Sequence, residues 1–210
     1  MSRRNLYLVP LVALLPGCVP MTEPLSDVHK AEPVKGLIGK WRSEMKDRDY
    51  YWWEIDRPEV KGNPPGLMRI VVGGRIAGPQ QAMWFYSTRL GKHTYMTTLA
   101  EFVPGRDRPQ IQNPELDREG EFADWEKRDR RRYFVTRYTL DEDRDGDRFA
   151  TYYGNPDAQA EVMKAEGIGL NATEDAYKTP PGWLAKYLTE KGPDKLFPPP
   201  YVTVYRRVKE

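Results

Sequence analysis

The chain has 210 residues, enough for one domain of ordinary size, with 39% hydrophobic and 30% charged residues. No run of 18 apolar residues occurs, which excludes a conventional spanning helix, and 12% aromatic residues exclude a disordered chain. A formal charge of +2 makes no case for nucleic acid as a partner, and a single Cys excludes an intramolecular disulfide.

At the N-terminus Arg3 and Arg4 precede an apolar run over residues 6–15, the length of a signal-peptide core and too short to cross a bilayer. Leu15-Pro16-Gly17-Cys18 resembles the lipobox of bacterial lipoproteins: a Leu three before the Cys and a small residue directly before it. The middle Pro16 departs mildly from that pattern. The resemblance implies a signal peptide over 1–17, diacylglycerol on the Cys18 thiol, and acylation of the amino group freed by cleavage. Two or three acyl chains anchor stably, so the membrane is the expected partner. No Asp follows Cys18, which by resemblance to enterobacterial sorting implies the outer membrane, facing the periplasm. An ordinary secretory signal beside an unmodified Cys is the competing reading. Losing Arg3 and Arg4 with the signal cancels the formal net charge.

Residues 18–35 carry Pro20, Pro24 and Pro33 with little periodicity and read as a flexible tether, followed by one domain over 36–210. Aromatic and β-branched runs separated by Gly, Pro and Asp predict strands at 37–43, 50–56, 67–73, 81–88, 92–103, 132–140, 147–153 and 200–208. Alternation supports them: Tyr51, Trp53 and Ile55 oppose Glu54 and Asp56; Met68, Ile70 and Val72 oppose Arg69; Val202 and Val204 oppose Thr203. Short loops such as Leu90-Gly91-Lys92 suit antiparallel hairpins. The connection 104–131 is long, charged and contains Phe122 and Trp125. Two helices are expected late in the chain. One is capped by Asn155 with Pro156 at its first position. The other is capped by Thr179, starts at Pro180 and stops at Gly192-Pro193. The fold class expected is all-β with minor α: an eight-stranded antiparallel up-and-down β-barrel with two helices between strands seven and eight. A two-sheet sandwich is the alternative.

Gly39-Lys40-Trp41 on the first strand resembles the Gly-x-Trp signature of lipocalins and other calycins. The resemblance implies that Trp41 closes one barrel end, with Gly39 beside it and an Arg of the last strand on its ring. Arg206 is taken for that part, with Arg207 as its neighbour and alternative. With the lipobox, the Trp84-Phe85 strand and the ending Tyr205-Arg206-Arg207-Val208, the chain resembles uncharacterised bacterial lipocalin-like lipoproteins. That resemblance implies fold and location, and no activity.

Chemistry is sparse. His29 lies in the tether and His93 in a hairpin; Ser26, Ser43 and Ser87 lack a nucleophile-elbow setting; no phosphate loop occurs. The expectation is therefore no enzyme, no catalytic residue, no metal and no cofactor. Residues 141–147 resemble half a calcium loop, but Arg148 and Tyr152 stand where a hydrophobic residue and the bidentate Glu belong, so a solvated hairpin is expected. Arg128, Arg130, Arg131 and Arg132 read as a solvated basic cluster. Tyr51, Trp53, Met68, Phe85, Met96 and Tyr138 are the candidate lining of a cavity for a lipid or other small apolar ligand. A solid barrel acting through its surface is the alternative; no protein partner is indicated.

Overall fold

The computed structural model describes residues 20–44, 51–74, 81–103, 110–141, 147–171, 176–198 and 202–209. In chain order these form β1 (Gly39–Ser43), β2 (Tyr51–Asp56), β3 (Met68–Gly74), β4 (Gln81–Leu90), β5 (His93–Val103) and β6 (Gln110–Gln112). Then follow helix α1 (Glu121–Glu126), β7 (Arg131–Asp141), β8 (Arg148–Tyr152), α2 (Pro156–Ala165), β9 (Leu170–Asn171), β10 (Ala176–Tyr177), α3 (Trp183–Lys191) and β11 (Val202–Arg207).

Eight strands close on themselves in the order β1-β2-β3-β4-β5-β7-β8-β11, every neighbour antiparallel. The expected barrel is thus present, with α2 and α3 between its seventh and eighth strands. Pleating sends alternate residues inward. Trp41, Trp53, Ile55, Met68, Ile70, Val72, Met83, Phe85, Met96, Tyr138, Phe149 and Tyr205 form one interior cluster. Arg69 stays outside, paired with Asp56 at 2.6 Å and Asp117 at 2.8 Å.

The outside of one wall is covered. Trp84, Tyr86, Leu99 and Tyr133 point outward and meet Phe122 and Trp125 of α1. Tyr95 and Val135 point outward under Leu184, Tyr187 and Leu188 of α3, with Val162 and Met163 of α2 in the same cluster. The charged 104–131 connection therefore contains structure that its sequence does not announce. β6 pairs along the edge of β5 opposite β7: Glu101 has Gln112 on one side and Arg131 on the other. α1 lays its two aromatic rings on the barrel.

Two expectations need correction. Residues 20–35 are not a loose tether but a strap along the barrel. Met21 forms bridges with both Tyr133 and Tyr177. Met21, Leu25 and Ala31 are buried, and the Tyr86 hydroxyl donates to the Ser26 carbonyl at 2.7 Å. A few apolar residues docked on a pre-formed wall need no periodicity of their own. The α3 cap also differs. Pro180-Pro181-Gly182 make a turn, with the Trp183 amide donating to the Pro180 carbonyl at 3.1 Å. Gly182, left-handed at φ 71°, is the cap, and Thr179 is buried ahead of it. α2 starts as expected: the Asn155 side chain accepts from the amides of Asp157 and Ala158.

Candidate functional site

One barrel end is closed around Trp41. A short 3-10 turn, Lys35–Leu37, precedes β1 and buries Leu37. The Trp41 Nε1 donates to the Leu37 carbonyl at 2.7 Å, and Phe149 meets the ring edge-on at 4.6 Å. The guanidinium over the indole, 4.3 Å from its centroid, belongs to Arg207, not to Arg206. Register decides this: Trp41 stands opposite Arg207, so both face inward, while Arg206 faces outward and meets Glu44. Arg207 Nη1 and Nη2 also donate to the carbonyls of Ile38 (2.7 Å) and Gly36 (2.6 Å), tying the incoming chain to the last strand. Gly39 makes room for this. Its φ is +137°, and a Cβ there would lie 2.6 Å from Arg207 Nη1. The Gly-x-Trp spacing is thus a backbone position, a ring and the arginine between them.

The candidate cavity residues are brought together, and against one another. Trp53, Met68, Phe85, Met96 and Tyr138 all face inward and are at most 4% exposed. Trp53 lies 4.5 Å from Tyr205, which stacks on Phe149 at 4.5 Å with 6° between planes. The Tyr138 hydroxyl donates to Ser87 Oγ at 3.1 Å. The Tyr51 side chain lies outside the described residues. Trp53 therefore packs ring on ring with Phe149 and Tyr205 inside the barrel, as core aromatics do.

Toward the other end the interior turns polar. Ser43, Thr98, Thr136, Thr151 and Thr203 are buried, and the hydroxyls of Tyr153 and Tyr205 are 3.2 Å apart. Arg132 belongs here and not to a solvated cluster. It stands opposite Ala100, is 2% exposed and lies over the Phe102 ring at 5.3 Å. The rest of that cluster is exposed or half-exposed: Arg128 pairs with Glu101, and Arg131 Nε donates to the Arg128 carbonyl at 3.0 Å.

A half-open groove of about 720 Å³ lies at the Trp41 end, between the strap and the β4–β5 hairpin. Ser87, Thr94, Tyr138 and Leu140 line its barrel side, Pro33 and Val34 its strap side, with Arg89 and Lys92 at the rim. His29 Nε2 lies 2.8 Å from Glu126 and its ring meets Phe122 edge-on at 5.8 Å, so it latches the strap to α1. His93 is held below the usual histidine range by burial and by Arg137 and Lys92. Among the described residues no group of His, Cys, Asp and Glu is placed to hold a metal ion. Residues 142–146 of the acidic loop and Cys18 lie outside the described residues, and Asp147 pairs with Lys209 at 2.6 Å.

Compared with protein-family models, curated proteins and solved structures, the chain matches none. The closed eight-stranded barrel is compatible with a lipocalin-like fold. Sequence reasoning put Arg206 ahead of its alternative Arg207, and missed the burial of Arg132 and the strap contacts.

Proposed function

We propose that this chain is a lipid-anchored lipoprotein of the bacterial envelope whose barrel is a packed, non-enzymatic scaffold acting through its surface. The anchor rests on the Leu15-Pro16-Gly17-Cys18 motif. The scaffold reading is supported by the barrel interior: Trp53, Phe149 and Tyr205 are in ring contact, and Met68, Phe85 and Met96 are buried in the same cluster. Binding of a small apolar molecule is the second reading. The groove favours it at the barrel end, where Tyr138 of the interior cluster and Leu140, packed against that cluster, line it.

Two measurements test this. Wild-type protein should stay with membranes through a high-salt wash and Cys18→Ala should be released; retention of the substituted protein after the wash would remove the anchor. Titration of the purified Cys18→Ala protein with a fatty acid or an environment-sensitive apolar dye should give no saturable change in tryptophan emission. A saturable change abolished by Leu140→Asp would favour the groove, and one abolished by Trp53→Phe would overturn the packed core.

A further inference from the structure

The strap is pinned to the barrel close to Cys18. Met21, three positions further on, lies between two strands. On one edge its amide and carbonyl exchange hydrogen bonds with Tyr133 of β7, both 3.0 Å, in antiparallel pairing. On the other edge the strap runs parallel to β10: the Tyr177 amide donates to the Pro20 carbonyl at 3.0 Å, and the Thr22 amide to the Tyr177 carbonyl at 3.2 Å. Tyr177 in turn stands opposite Leu170 of β9. Tyr133, Met21, Tyr177 and Leu170 therefore sit side by side on four adjacent segments. The Met21 side chain is 2% exposed, in one buried cluster with Val135, Tyr177 and Leu184.

Covalent geometry then limits the anchor. Consecutive Cα atoms are about 3.8 Å apart, so the chain keeps Cys18 within about 7.6 Å of Pro20, which is itself buried. Residues 19–35 as a flexible coil would instead span roughly 20–25 Å. The polar layer of one bilayer leaflet is about 5–7 Å thick. Lipid on Cys18 thus draws the surface around Pro20 onto the headgroups with no slack. One apolar side chain beside that point is open to solvent. Leu170 is 49% exposed, the most of any large apolar side chain among the described residues. It lies two strand spacings from Met21, about 10 Å. The β9–β10 hairpin turns back at its Asn171–Ala176 end, and because the strap runs parallel to β10, that end lies on the Cys18 side of Met21.

We propose that the acylated protein has no spacer: the strap clamps the barrel to the bilayer by its β9–β10 side, with Leu170 at the headgroup layer and the β2 face turned away. The proposal rests on the lipoprotein reading of Cys18 and needs no charge attraction. One half-exposed Leu is too little apolar area to hold a domain on a membrane, so the contact follows from the clamp. A tethered barrel would offer all its faces to a partner in turn. A clamped one offers the far side alone, and that is where a scaffold of this kind would act.

Lipid occupies the single native thiol, so one introduced Cys gives one labelling site. Acylated protein purified from bacterial membranes, carrying Leu170→Cys or Glu54→Cys with an attached fluorophore, is reconstituted into phosphatidylcholine vesicles containing a headgroup-nitroxide lipid. Glu54 is on β2, four strands from β7 either way around the barrel. Emission at 170 should be mostly quenched and emission at 54 little changed. A Gly-Ser spacer of about 12 residues inserted between Cys18 and Val19, roughly 19 Å in r.m.s. length, should restore most of the emission at 170. Mass spectrometry of the same samples reports the acyl chains. Their absence would remove the lipoprotein reading and this proposal with it. Acylated protein quenched equally at 170 and 54, or quenching at 170 that survives the spacer, would overturn the clamp alone.

Discussion

The β4–β5–β7 wall and the β1–β11–β8 wall belong to one barrel and solve different problems. On the first, burial is continuous: residues 95–100 of β5 and 132–136 of β7 are buried without a break. On the second, burial alternates along β1, β8 and β11, with charged or half-exposed residues between the buried ones. The difference is made by the cover. Strap, α1, α2 and α3 turn an outer face into a second core, in which Trp84, Tyr86, Tyr95, Tyr133 and Val135 stand where solvent-facing residues would otherwise be. A strand buried on one face reads as alternation; a strand buried on both reads as an apolar run whose phase is hidden.

The largest expected effects come from removing one buried ring on each side of the comparison, Trp125 over the covered wall and Trp41 inside the barrel on β1. Trp125→Ala should strip α1 from Trp84 and Tyr133 and cost ~3–5 kcal/mol, measured by denaturant unfolding. Trp41→Ala should cost a similar ~3–5 kcal/mol by opening the closed barrel end. A change within error at either site would place that ring outside the packed structure. Gly39→Ala comes next. It combines an unfavourable φ of +137° with the space taken by Arg207, and should cost about 1–3 kcal/mol. A neutral result would show that the arginine is not held over Trp41.

A pH dependence follows from the covered wall alone. Burial pushes the Tyr95 hydroxyl up to about 12, and raises that of Tyr86 further. The folded chain therefore keeps protons that the unfolded chain releases near pH 10. Stability from these groups should be full below about pH 10 and fall as pH rises through 12. Tyr95→Phe should reduce that alkaline loss, and should be nearly neutral at pH 7 because its buried hydroxyl has no described partner. An unchanged alkaline limb in a Tyr86→Phe/Tyr95→Phe protein would mean that these hydroxyls reach solvent. The smallest effect belongs to the uncovered wall: Val204→Ala should stay within about 0.5 kcal/mol of wild type by the same unfolding measurement.

This contrast also explains what was legible in the sequence. The eight barrel strands were, because Trp53/Ile55 and Met68/Ile70/Val72 alternate with polar residues on strands whose outer face is less covered. Phase at β4 and β5 was not, because Trp84 and Tyr86 are as buried as Met83 and Phe85. In β11 alternation marks two faces without saying which is inside. Val202 and Val204 face outward, Thr203 and Tyr205 inward, and the choice of Arg206 over Arg207 fails with that phase. α1 spans only six residues, begins at a left-handed Gly120 and has no side-chain cap, so neither period nor cap announces it. That Arg42, Arg206 and Arg148 stand opposite one another on β1, β11 and β8 follows only from inter-strand register, which no single strand encodes.

Native-state hydrogen exchange tests the two-sided wall most directly. Amides of 95–100 and 132–136 should exchange only with global unfolding, at a free energy equal to that from denaturant, while outward-facing positions of β1 and β11 should open locally at lower cost. Equal protection on both walls, or exchange of 95–100 by local opening, would contradict the account.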